Sequence, residues 1–116
     1  MYYTDTDLKI IHHPHFQVLQ LDDSACELLS VETKDQWKIV EKSGCLELWH
    51  KHAEEEEYHY QTAWLEMEDV FLDIADHDEY QAAGRDAERM KRFLEKHKDS
   101  SFYEFVLKIY QVAENK

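Results

Sequence analysis

Two kinds of hydrophobic spacing divide this chain. Up to about residue 62, apolar side chains come in short runs that alternate with polar ones, as in strands with one buried face. From Trp64 onward they recur every three or four residues, as on one face of a helix. Leu8 to His13 and Phe16 to Leu21 read as strands flanking Pro14, which cannot donate to a ladder and belongs at a turn or an edge. Asp22-Asp23-Ser24 is a turn. Cys26 to Glu32 reads as a strand, with a capped helical turn as the other reading because Asp23-Ser24 precedes Ala25-Cys26-Glu27-Leu28-Leu29. Trp37 and Ile39 alternate with Lys38 and Val40 in Gln36 to Glu41, and Ser43-Gly44 punctuates the chain before Cys45 to His52, which makes a hairpin. Glu54 to Glu57, a run of like charge, fits a solvated turn, and Tyr58 to Thr62 returns a strand.

Beyond that point Trp64, Met67, Phe71, Ile74 and Ala75 fall on one helical face, with Glu66, Asp69, Asp73 and Asp76 opposite. A second helix over Asp78 to Lys98 groups Ala83, Ala87, Met90, Leu94 and His97, and aligns Arg85, Arg89, Arg92 and Lys96 on its polar side. Ser101-Phe102-Tyr103-Glu104 is a capping box that opens a last helix with Phe102, Phe105, Val106, Ile109 and Ala113 as its stripe. The predicted class is α+β, an antiparallel sheet of about four to six strands in the N-terminal half followed by three C-terminal helices. An all-α bundle is the alternative, because Leu46 to Ala75 also reads as one long helix.

Length and composition sharpen this picture. A chain of 116 residues is the size of one domain, spanning 1–116, and 43 % hydrophobic with 13 % aromatic residues supplies a core that argues against disorder. The only cysteines, Cys26 and Cys45, lack a CxxC spacing, and no N-terminal apolar stretch resembles a signal or a membrane span. A cytoplasmic protein with reduced thiols follows.

Charge is the strongest compositional bias. The net charge is −13, and no lysine or arginine occurs between His52 and Gly84, whereas eleven carboxylates lie between Glu54 and Glu79. Residues Arg85 to Lys98 then carry six cations against three acids. Such a surface repels nucleic acid and anionic membranes and favours a basic protein surface as partner. The candidate partner-binding residues are Glu54, Glu55, Glu56, Glu57, Glu66, Asp69, Asp73 and Asp76. The leading expectation is a small, non-enzymatic interaction domain, such as an inhibitor, immunity or charge-mimic protein, with no cofactor. The basic stripe either meets an acidic partner or pairs with the acidic helix face within the chain. Self-association through Tyr2, Tyr3, Tyr58, Tyr60 and Tyr103 is a further reading.

A different class comes from the histidines, of which there are eight. His50 and His52 share a strand face, and a turn through the glutamates returns His59 beside them, so the three are candidate ligands for a divalent metal such as zinc or manganese. A metal-binding protein or metal-dependent hydrolase is therefore the alternative function. The plain reading is an exposed hairpin with a solvated acidic tip. His12, His13 and His15 form a second group, expected at the surface. Glu68, at the margin of an apolar face, is expected to be partly desolvated with a raised pKa. Glu66-x-x-Asp69, preceded by Glu54 to Glu57, resembles the ExxD and EExxE magnesium motifs of all-helical MazG-type nucleotide pyrophosphohydrolases. That resemblance covers about a quarter of the chain, implies magnesium-dependent pyrophosphate release, and departs at Tyr58, which stands at the third glutamate. With only Gly44 and Gly84 there is no glycine-rich phosphate loop.

Overall fold

The computed structural model describes residues 1–84, 86–96 and 101–114, with the backbone alone at 93 and 94. Five strands, β1 (Phe16–Leu21), β2 (Cys26–Ser30), β3 (Gln36–Lys42), β4 (Cys45–Lys51) and β5 (His59–Trp64), form one antiparallel meander in chain order. Helix α1 (Asp5–Ile11) precedes the sheet, and α2 (Met67–Ala82), α3 (Ala87–Lys96) and α4 (Phe102–Glu114) follow it. The predicted α+β class is the observed one. The all-helical alternative is not, since Leu46 to Ala75 is divided among β4, β5 and the first half of α2.

The N-terminus differs from its reading. Most of Leu8 to His13 is helix, because Thr4 and Asp7 cap each other: the Thr4 hydroxyl accepts the Asp7 N–H at 3.0 Å, and Asp7 Oδ2 accepts the Thr4 N–H at 3.0 Å. Over so few residues the apolar spacing suits either element, and the cap decides. Ile10 and Ile11 then face the core, and Asp7 Oδ1 accepts the Tyr110 hydroxyl of α4 at 2.6 Å.

The hairpins follow from their turns. Ser43 and Gly44 take φ of 54° and 81°, the left-handed pair that a two-residue turn needs, and this sets Lys42 opposite Cys45. The register aligns Leu28 with Trp37, Ile39 with Leu48 and Trp37 with His50, so these residues share the inner face. A bulge interrupts the β4–β5 ladder between Leu48 and Trp49. Helices α1, α2 and α4 cover the inner face, with Ile10, Ile11, Val70, Phe71, Ile74, Ala75, Phe102 and Val106 completing one hydrophobic cluster. On the outer face Leu19 and Tyr60 stay exposed.

Two helix boundaries shift. Trp64 ends β5 instead of opening a helix; it stands seven residues before Phe71 and so mimics helical spacing, while its indole N–H donates to Asp73 Oδ2 of α2 at 3.1 Å. Where the pattern predicts a new helix at Asp78, α2 continues and stops at Gly84, whose φ of 73° suits a helix end. Asp86 then caps α3, its Oδ1 accepting the N–H groups of Glu88 and Arg89 at 2.9 and 3.1 Å. Arg85, His97, Lys98 and the side chain of Leu94 lie outside the described residues. Arg89, Arg92 and Lys96 are exposed, and among the described residues they form no ion pair with Glu66, Asp69, Asp73 or Asp76. The internal pairing considered for that stripe is therefore not observed there.

Glu54 to Glu57 lie in the β4–β5 connection, and Glu66 is the N-cap of α2. The helix that the pyrophosphohydrolase resemblance needs at the first motif is absent. Cys26 and Cys45 are free thiols; Cys26 is buried, which pushes its pKa up to about 12. Tyr2 and Tyr60 are exposed, whereas Tyr3, Tyr58 and Tyr103 are half-buried. Among the described residues no helix is long and apolar enough to cross a membrane.

Candidate metal centre

The inward face of α2 runs through Met67, Val70, Phe71, Ile74 and Ala75 and then, at unchanged spacing, reaches Asp78 and Glu79. The sheet turns polar at the same end, with Ser30 on β2, Asp35 just before β3 and His50 on β4 all buried. One end of the helix–sheet interface is thus apolar and the other is built from carboxylates, imidazoles and hydroxyls.

Asp35 is the centre of the polar end. It is held by the β2–β3 turn: Lys34 takes φ of 68° and donates its N–H to Ser30 O at 2.8 Å, Ser30 N–H bonds Asp35 O at 2.8 Å, and Asp35 N–H bonds Thr33 Oγ1 at 3.2 Å. Its carboxylate, 2 % exposed, then points inward. Oδ1 lies 3.1 Å from His52 Nδ1, and Oδ2 lies 2.9 Å from His77 Nε2 and 3.4 Å from His50 Nε2. Burial alone would raise the Asp35 pKa, but the hydrogen bonds from His52 and His77 and the nearby His50 imidazole outweigh it and hold the carboxyl below its usual value.

His50 is packed on every side. Its ring stacks on Trp37 at 4.3 Å and meets the edges of His52 at 4.6 Å, His77 at 4.7 Å and His59 at 5.2 Å. Burial, reinforced by His77, lowers its pKa against the opposing pull of Asp35, so the neutral imidazole is favoured. Its Nε2 is buried and has no hydrogen bond among the described residues.

The three histidines singled out by spacing therefore meet at one end of the sheet, but unequally. His50 and His52 share Asp35; His59, opposite His50 in the ladder, is half-exposed and lies with Nδ1 3.8 Å from Glu55 Oε2. Glu55 folds back, accepting the His52 N–H at 2.8 Å, a bond that lowers its pKa. Glu54, Glu56 and Glu57 remain exposed. Glu66, at the N-cap of α2, and Asp76 are exposed and Asp69 and Asp73 half-buried along the helix, so these acids are spread over α2 and do not form one patch with Glu54 to Glu57. Glu68 has the raised pKa expected of it, caused by burial and then by the charges of Glu114, Asp69 and Glu66.

Asp35 and His77 were not read from the pattern. Counting outward from the Ser43-Gly44 turn puts Asp35 across from His52, a signal present in the hairpin itself. No local signal gives His77, which arrives from α2. Nor do His13 and His15 form the surface turn expected of them. His13 packs against Phe105 and Phe102, and His15 stacks flat on Phe102 at 4.0 Å while its Nε2 sits 2.7 Å from Asp78 Oδ2. Asp78 is further held by Ser30 Oγ at 2.5 Å and Thr33 Oγ1 at 3.2 Å, and the Trp37 indole N–H donates to Ser30 Oγ at 3.0 Å. Beside it, Glu79 Oε1 accepts the Ser101 hydroxyl and the Tyr103 N–H at the start of α4. The remaining oxygen, Oε2, is buried without a hydrogen bond among the described residues, and burial raises the Glu79 pKa.

Ligand atoms from Asp35, His50 and His52 lie within 4.8 Å of one another, as do those from Asp35, His77 and Asp78. Two imidazoles and a carboxylate are a donor set for zinc, manganese or iron. Comparison with known protein families, curated proteins and solved structures finds no match to this chain.

Proposed function

We propose that this chain binds a divalent transition metal, zinc or manganese, through Asp35, His50 and His52. The observation that carries this reading is the His50 Nε2 atom, buried, without a hydrogen bond among the described residues, and facing Asp35 Oδ2 at 3.4 Å. Leaving a buried nitrogen unpaired costs about 1–3 kcal/mol. A metal ion takes up its lone pair. Ligand atoms around a tetrahedral zinc with bonds of about 2.0–2.1 Å stand roughly 3.3 Å apart. His52 Nδ1 lies 3.1 Å from Asp35 Oδ1 and His50 Nε2 3.4 Å from Asp35 Oδ2, each close to that spacing though on different oxygens of the carboxylate. His52, with its side chain 33 % exposed, lies at the solvent edge, and Glu55 and His59 stand beside it as further donors. Elemental analysis of protein purified without a His-tag tests the reading. Bound metal, or a melting temperature raised by added zinc or manganese, supports it; a metal-free chain indifferent to both ions removes it.

A second reading, an acidic surface that docks a basic partner, is favoured by a groove of about 580 Å³ at the other end of the molecule. Among the described residues five carboxylates line it, Asp7, Glu41, Glu66, Glu68 and Glu114, and no lysine or arginine does. Exposed Tyr2 and Leu65 give it an apolar rim for the stem of a long cationic side chain. A pull-down from the native host should recover a basic protein at low salt and lose it at high salt. Recovery of nothing at low salt counts against this reading.

A further inference from the structure

We infer that Asp35 bridges two metal positions, the second completed by His77 and Asp78, an extension that rests on the metal site proposed above. The Asp35 carboxylate has donors on both sides. Oδ1 faces His52, and Oδ2 lies between His50 of β4 at 3.4 Å and His77 of α2 at 2.9 Å. The two donor sets, Asp35 with His50 and His52, and Asp35 with His77 and Asp78, each fall within 4.8 Å and share only this residue. His50 Nε2 faces the shared carboxylate at 3.4 Å yet makes no hydrogen bond among the described residues, so the network around Asp35 is left open at this atom.

Asp78 is placed for the second ion by its own contacts. Its Oδ2 is fixed by His15 Nε2 at 2.7 Å and Ser30 Oγ at 2.5 Å, and the His15 ring is clamped flat on Phe102. Among the described residues its Oδ1 carries only the longer Thr33 bond at 3.2 Å. Hydrogen-bonded supports of this kind orient metal-bound carboxylates. A bridging carboxylate holds two ions about 3.5–4 Å apart. Two divalent ions bring more positive charge than Asp35 and Asp78 neutralise. The pair therefore keeps an anionic ligand between them, in the simplest case hydroxide formed from water with release of its proton to solvent.

The test counts ions. Tag-free protein is stripped by a chelator, reconstituted with Mn²⁺, passed through gel filtration, and measured for manganese per chain and for the electron paramagnetic resonance of a spin-coupled pair. Wild type should hold about two ions with a coupled signal. His77→Ala, at a position with the side chain 23 % exposed, should hold about one with an uncoupled signal, folding being checked by circular dichroism. Asp78→Asn should behave as His77→Ala does. A wild type with one ion overturns the bridge and leaves the first site standing. Two ions retained in His77→Ala also overturn it, placing the second ion elsewhere. A wild type with none removes both proposals.

Discussion

The two ends of the α2–sheet interface solve the same packing problem with opposite chemistry. At one end Val70, Phe71 and Ile74 meet Ile39 and Leu48 in a single apolar cluster. At the other, buried Asp78 and the partly exposed His77 meet Asp35, His50 and Ser30, all three buried. Apolar closure is insensitive to pH and ions. Polar closure is stable only while each buried polar atom finds a partner, and two of them, His50 Nε2 and Glu79 Oε2, find none among the described residues. The lesson is that the polar end resembles a site more than a core, because a core under selection for stability alone has no use for unsatisfied atoms.

Mutations at the two ends should separate them. Phe71→Ala removes a fully buried ring and should cost about 3–5 kcal/mol in urea unfolding, by the same amount with or without zinc. Asp35→Ala leaves the histidine donors without their acceptor and should cost about 3 kcal/mol, and in addition abolish any zinc response. A cost for Asp35→Ala below that of an exposed substitution would break the comparison. Zinc at a hundredfold excess over its dissociation constant should add about 2.7 kcal/mol to the wild type and nothing to His50→Leu. Without metal, His50→Leu should stay within about 1 kcal/mol of wild type, since it replaces an unpaired polar atom by an apolar one.

Proton linkage sharpens the contrast further. His50 is held below the ordinary histidine value, so in the window from about 6.5 down to its lowered value the unfolded chain binds a proton that the folded chain refuses. Stability should fall as pH drops through that window. Asp35, also depressed, contributes stability that is present above about 3.9 and lost as pH falls below it. Thermal melts of His50→Leu across pH 4–8 should show a flatter acid limb than wild type, whereas Phe71→Ala should keep the wild-type shape. Glu79 has the opposite sign. Its pKa is raised, so stability declines as pH rises from about 4.3 through the folded value. Glu79→Gln keeps an oxygen for Ser101 and Tyr103 and should gain up to about 1 kcal/mol at neutral pH, the smallest effect of the set.

Much of the scaffold was legible because its signals are local. The Ser43-Gly44 turn, the alternation in Gln36 to Glu41 and the helical stripe from Met67 to Ala75 each specify an element within a few residues. The errors came where one spacing suits two structures. Leu8 to His13 is a short apolar run that suits a strand or a helix, yet the Thr4–Asp7 cap places it as far as Ile11 in α1, and Trp64 keeps helical phase with Phe71 although it ends a strand and a bend follows it. At the site, His50, His52 and His59 were readable because strand alternation and a hairpin return are geometric rules that apply to any sequence.

By itself, the order of residues determined the class of fold, the hairpin register and the three histidines gathered at its end, all of which depend on contacts between near neighbours along the chain. Only tertiary packing decided that His77 and Asp78 of α2 close over Asp35, and that His15 stacks on Phe102 and is half-buried instead of facing water. The physical reason is distance in sequence. Where α2 docks is set by its apolar face against Ile39 and Leu48, and the polar residues one turn further on are carried to the carboxylate by that docking, with no local pattern to announce it.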